Sequence, residues 1–132
     1  VVTSVNSALN RRKKPSNHAS SVVFGVAYKK DIGDARESAA YEVIPDLLRK
    51  EAKIDYFDPY IKKFELKNKN SKKPLVLKSI KYSLKNLKKY DCVLILTDHS
   101  GFDYDKMAKR AKLVVDTRNA IKSRKYKNVS WL

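Results

Sequence analysis

The feature that most constrains the fold is an apolar run, Val22–Val26, that passes directly into a charged segment and then into a helical pattern. An apolar run of this length is typical of a parallel strand that is buried on both faces. The charged segment, Lys29–Arg36, contains Gly33, which eases a turn, and Ser38 follows at a position suited to capping a helix. The chain therefore predicts a strand, a charged loop and a helix, an arrangement in which ligands bind beyond the carboxyl end of the strand.

The same alternation of apolar runs and helical periodicities continues along the chain. Further strands are predicted at Ile54–Phe57, Leu75–Leu77, Cys92–Leu96 and Leu113–Val115, and Asn128–Leu132 is either a terminal strand or a tail that packs Trp131 on the domain. Helices are predicted over residues 1–14, 38–51, 83–90 and 102–111. Strands that alternate with helices form βαβ units, so we expect a mostly parallel sheet with Cys92–Leu96, the most apolar run, at its centre.

Three segments fit this alternation less well. Pro15–Ser20 is polar and predicts a linker, and Lys62–Lys73 is dense in lysine and predicts an exposed loop. Pro45 lies inside a helical pattern, where it removes a backbone hydrogen bond, so we expect a kinked helix. The length of the chain, 132 residues, predicts a single domain.

Polar clusters follow the predicted strands at their carboxyl ends. They are Lys29–Arg36, Asp58, Asp98–His99 and Asp116–Arg118. Because the carboxyl ends of parallel strands meet at one edge of a sheet, we expect these clusters to share that edge, which is the predicted ligand rim. The loop after the first strand lacks the G-x-G-x-x-G pattern that cradles a dinucleotide. A nucleotide bound there would be held by cationic side chains, lysine as a point charge and arginine as a planar fork.

The net charge of +16 is large for this length and has two interpretations. It indicates either a polyanionic partner, such as nucleic acid or acidic glycan, or a lysine-rich solvated surface. We favour the solvated surface, because the lysines are dispersed and no nucleic-acid-binding module is legible. No apolar run approaches the ~20 residues of a membrane span, so no membrane association is expected. The single cysteine, Cys92, excludes an internal disulfide and indicates a reducing, cytoplasmic compartment.

The stretch around the first strand matches the pattern G-x-A-[FY]-K-x-[DN]-x-x-D-x-R-E-S. The matching residues are Gly25, Ala27, Tyr28, Lys29, Asp31, Asp34, Arg36, Glu37 and Ser38, and Ala39 departs from the proline usual at the next position. Residues 54–59, 90–104 and 114–120 extend the match over nearly the whole chain. On these residues the chain resembles the C-terminal, UDP-binding domain of the UDP-glucose/GDP-mannose dehydrogenase family. Its T-D-H and D-T-R-N segments are more similar to dehydrogenases of UDP-N-acetylhexosamines than to those of UDP-glucose.

The resemblance implies a fold, a reaction and a set of site residues. The fold is an α/β, Rossmann-like three-layer domain with a mostly parallel sheet. The reaction is the NAD-dependent oxidation of a UDP-sugar at C6 to the uronate, a step of nucleotide-sugar metabolism and polysaccharide biosynthesis. Tyr28, Lys29 and Arg118 match positions that contact the UDP-sugar, and Arg36 matches a position that reaches the NAD bound mainly by an N-terminal domain.

The resemblance also implies how the chain relates to a larger enzyme. Residues 1–20 match the tail of an inter-domain helix and a linker, and residues 21–132 match the UDP-sugar-binding domain. The family's catalytic cysteine belongs to a central domain, so this chain is expected to hold no catalytic residue and to be inactive alone. The full enzyme is expected to be a homodimer. Because the chain starts at Val1 and its only methionine is Met107, we interpret it as a piece of a longer protein.

Each candidate residue also has a purely structural interpretation. Lys29 and Arg36 could pair with the acidic residues of their own loop, and Arg118 could pair with Asp116. The match to the family pattern makes us prefer the binding roles for these cations.

The remaining candidates are weaker. His99 beside Asp98 suggests acid–base chemistry, but a lone histidine at a strand end is more often a hydrogen-bonded structural residue, and we favour that role. Cys92 lies in an apolar run and is expected to be inert packing. Two histidines and one cysteine, far apart in sequence, do not predict a zinc site, so no metal is expected.

Overall fold

The computed structural model describes residues 1–11, 18–67 and 73–132 of the chain. Its helices are α1, Val2–Arg11; α2, Ala40–Arg49; and α3, Tyr104–Arg110, with a 3-10 helix at Leu84–Lys89. Its strands are β1, Ser20–Phe24; β2, Lys53–Phe57; β3, Lys63–Leu66; β4, Leu75–Lys78; β5, Cys92–Ile95; β6, Val114–Asp116; and β7, Val129–Trp131. None of the helices in this described part of the chain is long and apolar enough to cross a membrane.

Five of the strands form one parallel sheet in the order β2-β1-β5-β6-β7. All four residues of β5 are buried, and this strand lies in the middle of the sheet, as its apolar run predicts. The terminal strand β7 also forms, and the indole of Trp131 donates a hydrogen bond to the carbonyl of Ile121. The prediction of an α/β, Rossmann-like fold with a mostly parallel sheet is confirmed.

Successive residues of the central strands face two separate cores, because side chains alternate across a sheet. Val23 and Leu94 face a core that contains α1 and α2. Phe24 and Ile95 face the other core, together with Met107 of α3. Helices therefore cover both faces of the sheet, which gives the three layers that the resemblance implies.

Helices α1 and α2 are amphipathic, and the sequence predicts the buried face of each. Val5, Ala8 and Leu9 of α1 are buried in the first core. Helix α2 contains Pro45, as expected, and the hydroxyl of Ser38 accepts the backbone N–H of its first residue, Ala40. Ser38 therefore stabilises the start of α2, although the helix is shorter than the predicted span of 38–51.

One predicted loop is wrong in part. Within the lysine-rich stretch Lys62–Lys73, residues Lys63–Leu66 form β3, which pairs antiparallel with β4. Phe64 and Leu66 are buried, so the strand alternates lysine or glutamate outward with apolar side chains inward. The density of lysine concealed this short alternation. Residues 68–72 of the predicted loop, and residues 12–17 around the predicted linker, lie outside the described residues, and Ser20 already belongs to β1.

Candidate functional site

The loops that follow β1, β2, β5 and β6 converge at the carboxyl edge of the sheet, and a glycine permits the closest approach. Gly25 lies at φ +88°, and a Cβ atom built on it would be 2.5 Å from Cβ of Thr97. Beyond Gly25 the loop stays close to β5, because the Thr97 hydroxyl donates a 2.7 Å hydrogen bond to the carbonyl of Ala27. Gly25 therefore allows the β1 loop and the end of β5 to meet.

A buried carboxylate, Asp58, joins the β1 and β2 loops. Its Oδ2 accepts the backbone N–H groups of Val26 and Ala27 at 2.9 and 3.1 Å. Its Oδ1 accepts those of Tyr60 and Ile61 at 2.8 and 3.2 Å. Hydrogen bonds to backbone N–H groups compensate the cost of burying this charge. Asp58 thus fixes two loops and is not available to a ligand.

His99 continues this network into the β5 loop. Its ring is fully buried, with Nε2 2.9 Å from Oδ2 of Asp58 and Nδ1 2.8 Å from the backbone nitrogen of Asp31. Because the Asp31 N–H can only donate, Nδ1 is the acceptor and Nε2 carries the proton that is donated to Asp58. His99 is a hydrogen-bonded residue of the framework, as predicted.

The Asp31 carboxylate makes further hydrogen bonds with the β5 loop. It accepts the backbone N–H of Ser100 at 2.7 Å and the Ser100 hydroxyl at 2.6 Å. Both hydrogen bonds lower the pKa of Asp31, and the one from the Ser100 hydroxyl has the larger effect. Asp31 also has a φ of +64°, a left-handed conformation that is uncommon for a residue other than glycine. The β1 loop is thus held in a strained conformation by polar contacts with the β5 loop.

The loop after β6 is organised by a second buried carboxylate, Asp116. Its Oδ1 accepts the backbone N–H groups of Arg118 and Ala120, and its Oδ2 accepts that of Ile121 at 2.9 Å. The guanidinium of Arg118 contacts backbone carbonyls instead, Leu96 through Nε at 2.8 Å and Tyr28 through Nη2 at 3.4 Å. The alternative that Arg118 forms a salt bridge with Asp116 is therefore wrong.

Tyr28 and Lys29 belong to the β1 loop, and the backbone carbonyl of Tyr28 accepts from Arg118 of the β6 loop. The Tyr28 side chain is 41% exposed, and Nζ of Lys29 lies 5.5 Å from the centroid of its ring. Within the described residues Lys29 forms no ion pair, with Asp31 or with any other carboxylate. The structure thus brings Tyr28, Lys29 and Arg118 to one edge of the sheet.

Arg36 belongs to the same loop but has a different environment. Its guanidinium pairs with Asp34, Nη2 to Oδ2 at 2.8 Å, which is the structural alternative considered for it. This pairing lowers the pKa of Asp34 to about 2. The Arg36 side chain is 88% exposed, and Asp34 is tied to Tyr28 through a backbone hydrogen bond of 2.8 Å. Arg36 therefore projects into solvent at the outer side of the loop.

The predicted rim thus divides into two classes of residue. Asp58, His99 and Asp116 are buried and hold the loops. The sequence predicts this structural role for His99 but places the two carboxylates at the ligand rim. Both carboxylates follow an apolar strand directly in the sequence, but this pattern does not distinguish a ligand-binding group from a backbone anchor.

A surface cavity of about 510 Å³ adjoins this edge and is lined by residues 101–105, Ala120 and Lys122.

Two further residue types have no part in this site. Cys92 is buried in β5, and burial raises the pKa of its thiol to about 12, which agrees with the prediction of inert packing. Within residues 1–11, 18–67 and 73–132, no three His, Cys, Asp or Glu residues form a group that could hold a metal ion.

Comparison with known proteins identifies residues 22–123 as matching the UDP-glucose/GDP-mannose dehydrogenase family, UDP binding domain. The UDP-N-acetyl-D-mannosamine dehydrogenase of Methanococcus vannielii is 31% identical over 117 residues, which cover 83% of this chain and 25% of that protein. The UDP-glucose 6-dehydrogenase of Caenorhabditis elegans is 44% identical over 46 residues, which cover 35% of this chain and 10% of that protein. The chain thus spans at most about a quarter of the length of these relatives.

Solved structures show the same fold. The NDP-N-acetyl-D-galactosaminuronic acid dehydrogenase from Methanosarcina mazei Go1 superposes with a TM-score of 0.72 at 20% sequence identity. The superposition covers 99% of this chain and 27% of that one.

Proposed function

We infer the function of this chain from the family to which it belongs, the UDP-glucose/GDP-mannose dehydrogenase family, of which it is a UDP-binding domain. We propose that the carboxyl edge of its sheet binds the diphosphate of a UDP-sugar through Tyr28, Lys29 and Arg118. In the whole protein this edge would take part in NAD-dependent oxidation of the sugar at C6. The curated relatives that act on UDP-N-acetyl-D-mannosamine favour an N-acetylhexosamine as that sugar.

The observation that carries this proposal is the orientation of Arg118. Two of its N–H groups donate to the carbonyls of Leu96 and Tyr28, which fixes the plane of the guanidinium. A guanidinium has five N–H donors, so within the described residues the other three are available to the oxygens of an anion. Phosphate oxygens suit this fork, and a fixed fork loses little side-chain entropy when it binds.

The charge around Arg118 supports an anionic ligand. Lys29 lies on the β1 loop and forms no ion pair within the described part of the chain, and the Arg118 guanidinium donates to backbone carbonyls, so neither cation has an acidic partner there. Two cations without an acidic partner attract an anion, so a diphosphate at this edge would offset their charge. The exposed ring of Tyr28 offers an apolar face and a hydroxyl group to the same ligand.

The cofactor would contact this chain at its outer loop. NAD accepts hydride from the sugar when it is bound to such enzymes. The sequence has no G-x-G-x-x-G pattern to hold a dinucleotide, but Arg36 is exposed and suits a phosphate of a cofactor bound by another domain. Arg36 must first leave Asp34 to make this contact. We therefore assign Arg36 to NAD and expect the isolated chain to produce no NADH from a UDP-sugar.

Calorimetric titration of the 132-residue chain with UDP tests the proposed site. We expect Lys29→Ala and Arg118→Ala each to weaken UDP binding by about 10-fold or more, since hydrogen bonds to charged groups contribute ~1.5–3 kcal/mol. Arg118→Lys should also weaken binding, because lysine keeps the charge and loses the fork. Arg36→Ala should change UDP affinity by less than about 3-fold, because Arg36 is assigned to the cofactor.

Lys89→Ala is the matched control. Lys89 is exposed just before β5, at the opposite edge of the sheet, and its loss changes the net charge by the same amount as Lys29→Ala. Equal loss of affinity in Lys89→Ala and Lys29→Ala would show a response to net charge alone and would overturn the site. Binding of nonspecific DNA with steep salt dependence, and none of UDP, would favour the nucleic-acid alternative instead.

A further inference from the structure

We propose that His99 is a positioning residue for the diphosphate site, because it fixes the loop that carries Tyr28 and Lys29. The inference rests on the proposed function, since the loop matters only if those two residues contact the ligand. His99 itself is fully buried and touches no ligand. It acts through the backbone of Asp31, three residues beyond Tyr28.

One buried pair of side chains holds the β1 loop from both ends. Asp58 accepts the N–H groups of Val26 and Ala27 at the start of the loop, and His99 accepts the N–H of Asp31 further along. Asp58 and His99 are joined by a 2.9 Å hydrogen bond. Tyr28 and Lys29 therefore lie between two anchors that belong to the same buried unit.

The conformation of the β1 loop depends on this anchor. Asp31 lies at φ +64°, and a left-handed conformation at a non-glycine residue costs about 1 kcal/mol or more. Such a conformation persists where several contacts determine it. Here the contacts are the acceptor on His99 and two donors from Ser100, all from the β5 loop. Without the His99 acceptor, Asp31 can relax, and Tyr28 and Lys29 between the two anchors can move with it.

The two nitrogens of His99 have separate tasks, so two amide substitutions can separate them. His99→Asn places a side-chain oxygen near the position of Nδ1 and keeps an acceptor for Asp31. His99→Gln places an amide N–H near the position of Nε2 and keeps the donor to Asp58. Both variants lose the contact between the imidazole and the Tyr60 ring, whose centroids lie 5.0 Å apart, so this loss is common to the two.

The test measures UDP affinity by calorimetry and exchange of the Asp31 amide proton by NMR in the wild-type chain and both variants. We expect His99→Asn to bind UDP within about 3-fold of wild type and to keep slow amide exchange. His99→Gln should bind UDP about 10-fold more weakly and exchange that proton quickly, since one acceptor is lost. Equal affinities in the two variants, or rapid exchange already in wild type, would overturn the inference.

Two outcomes separate this inference from the proposed function. If wild type binds no UDP, the proposed function fails, while slow Asp31 exchange in wild type and rapid exchange in His99→Gln still support the anchor. If neither His99 variant folds, Ser100→Ala provides the test, because it removes the exposed hydrogen bond from the Ser100 hydroxyl to the Asp31 carboxylate. It should weaken UDP binding by about 5-fold, the loss expected for one hydrogen bond, and an affinity within about 3-fold of wild type would overturn the inference.

Discussion

At the scale of single residues, Gly25 and Gly101 pose a controlled comparison. Both have positive φ, +88° and +89°, but a Cβ on Gly25 would meet Thr97, whereas one on Gly101 would meet nothing within 4 Å. Gly101→Ala should cost about 1 kcal/mol of unfolding free energy from backbone strain alone. Gly25→Ala adds a steric clash, so its cost should reach about 3 kcal/mol or more. Urea denaturation measures both, and equal costs would show that the β1 and β5 loops do not approach as closely as described.

Cys92 gives a prediction about alkaline pH. Burial raises the pKa of its thiol from 9.0 to about 12, so the folded state favours the protonated form. This contribution to stability is complete below pH 9 and is lost as the pH rises toward 12. The unfolding free energy should thus fall by up to ~1.4 kcal/mol per pH unit above pH 9. Urea denaturation at pH 8.5 and 10.5 should show a smaller fall for Cys92→Ala, and parallel falls would contradict the assignment.

Single residues also show what the sequence predicts of the site. The matched sequence segments identify Tyr28, Lys29 and Arg118 as candidates, and the structure brings them to one edge of the sheet. The burial of Asp58 could not be predicted, because an acidic residue after a strand fits a ligand group and a backbone anchor equally well. Its role depends on which N–H groups from other loops reach it, and that is a property of the folded chain.

At the scale of elements, helix α2 forms although Pro45 in its interior lowers its stability. Pro45 removes the hydrogen bond that residue 45 would donate to the carbonyl of Tyr41. Pro45→Ala should therefore raise the unfolding free energy by about 1–2 kcal/mol, after the greater freedom of the unfolded chain is subtracted. Chemical denaturation checks this, with the exposed Glu42→Ala as a control on the same helix. A loss of stability would indicate that the proline ring makes contacts that alanine cannot replace.

Elements were predicted in proportion to their apolar content. Strands β1, β5 and β6 overlap apolar runs that the sequence locates within two residues, although β1 begins at the half-buried Ser20 and β6 ends at Asp116. Strand β3 was missed, because only two of its four residues are buried and lysines flank them. A half-buried strand of this length does not differ enough from a charged loop for periodicity to reveal it.

At the scale of the whole molecule, the net charge of +16 opposes the compact state through self-repulsion. Salt shortens the screening length from about 10 Å at 0.1 M to about 3 Å at 1 M. The melting temperature should therefore rise by about 3–5 °C over this range of sodium chloride, the equivalent of about 1 kcal/mol. A melting temperature that falls with salt would indicate that attractive ion pairs outweigh the repulsion.

The whole molecule also explains why fold class was easier to predict than function. Alternating strands and helices allow few arrangements, and all of them bring the strand ends to one edge. Which side chains at that edge face solvent depends on hydrogen bonds between loops that are distant in sequence, such as Tyr28 with Arg118 and Asp31 with His99. No periodicity along the chain records these contacts.

The central claim is that cations from separate strands meet at one edge to hold a diphosphate. The most direct measurement is an NMR titration of the 132-residue chain with UDP that follows backbone amides and arginine side-chain signals. We expect chemical-shift changes in the β1 loop at Tyr28 and Lys29 and in the β6 loop at Arg118, and no changes at Lys50 or Lys89 on the opposite edge. Changes spread over lysines on both edges, or confined to the amino ends of the strands, would contradict it.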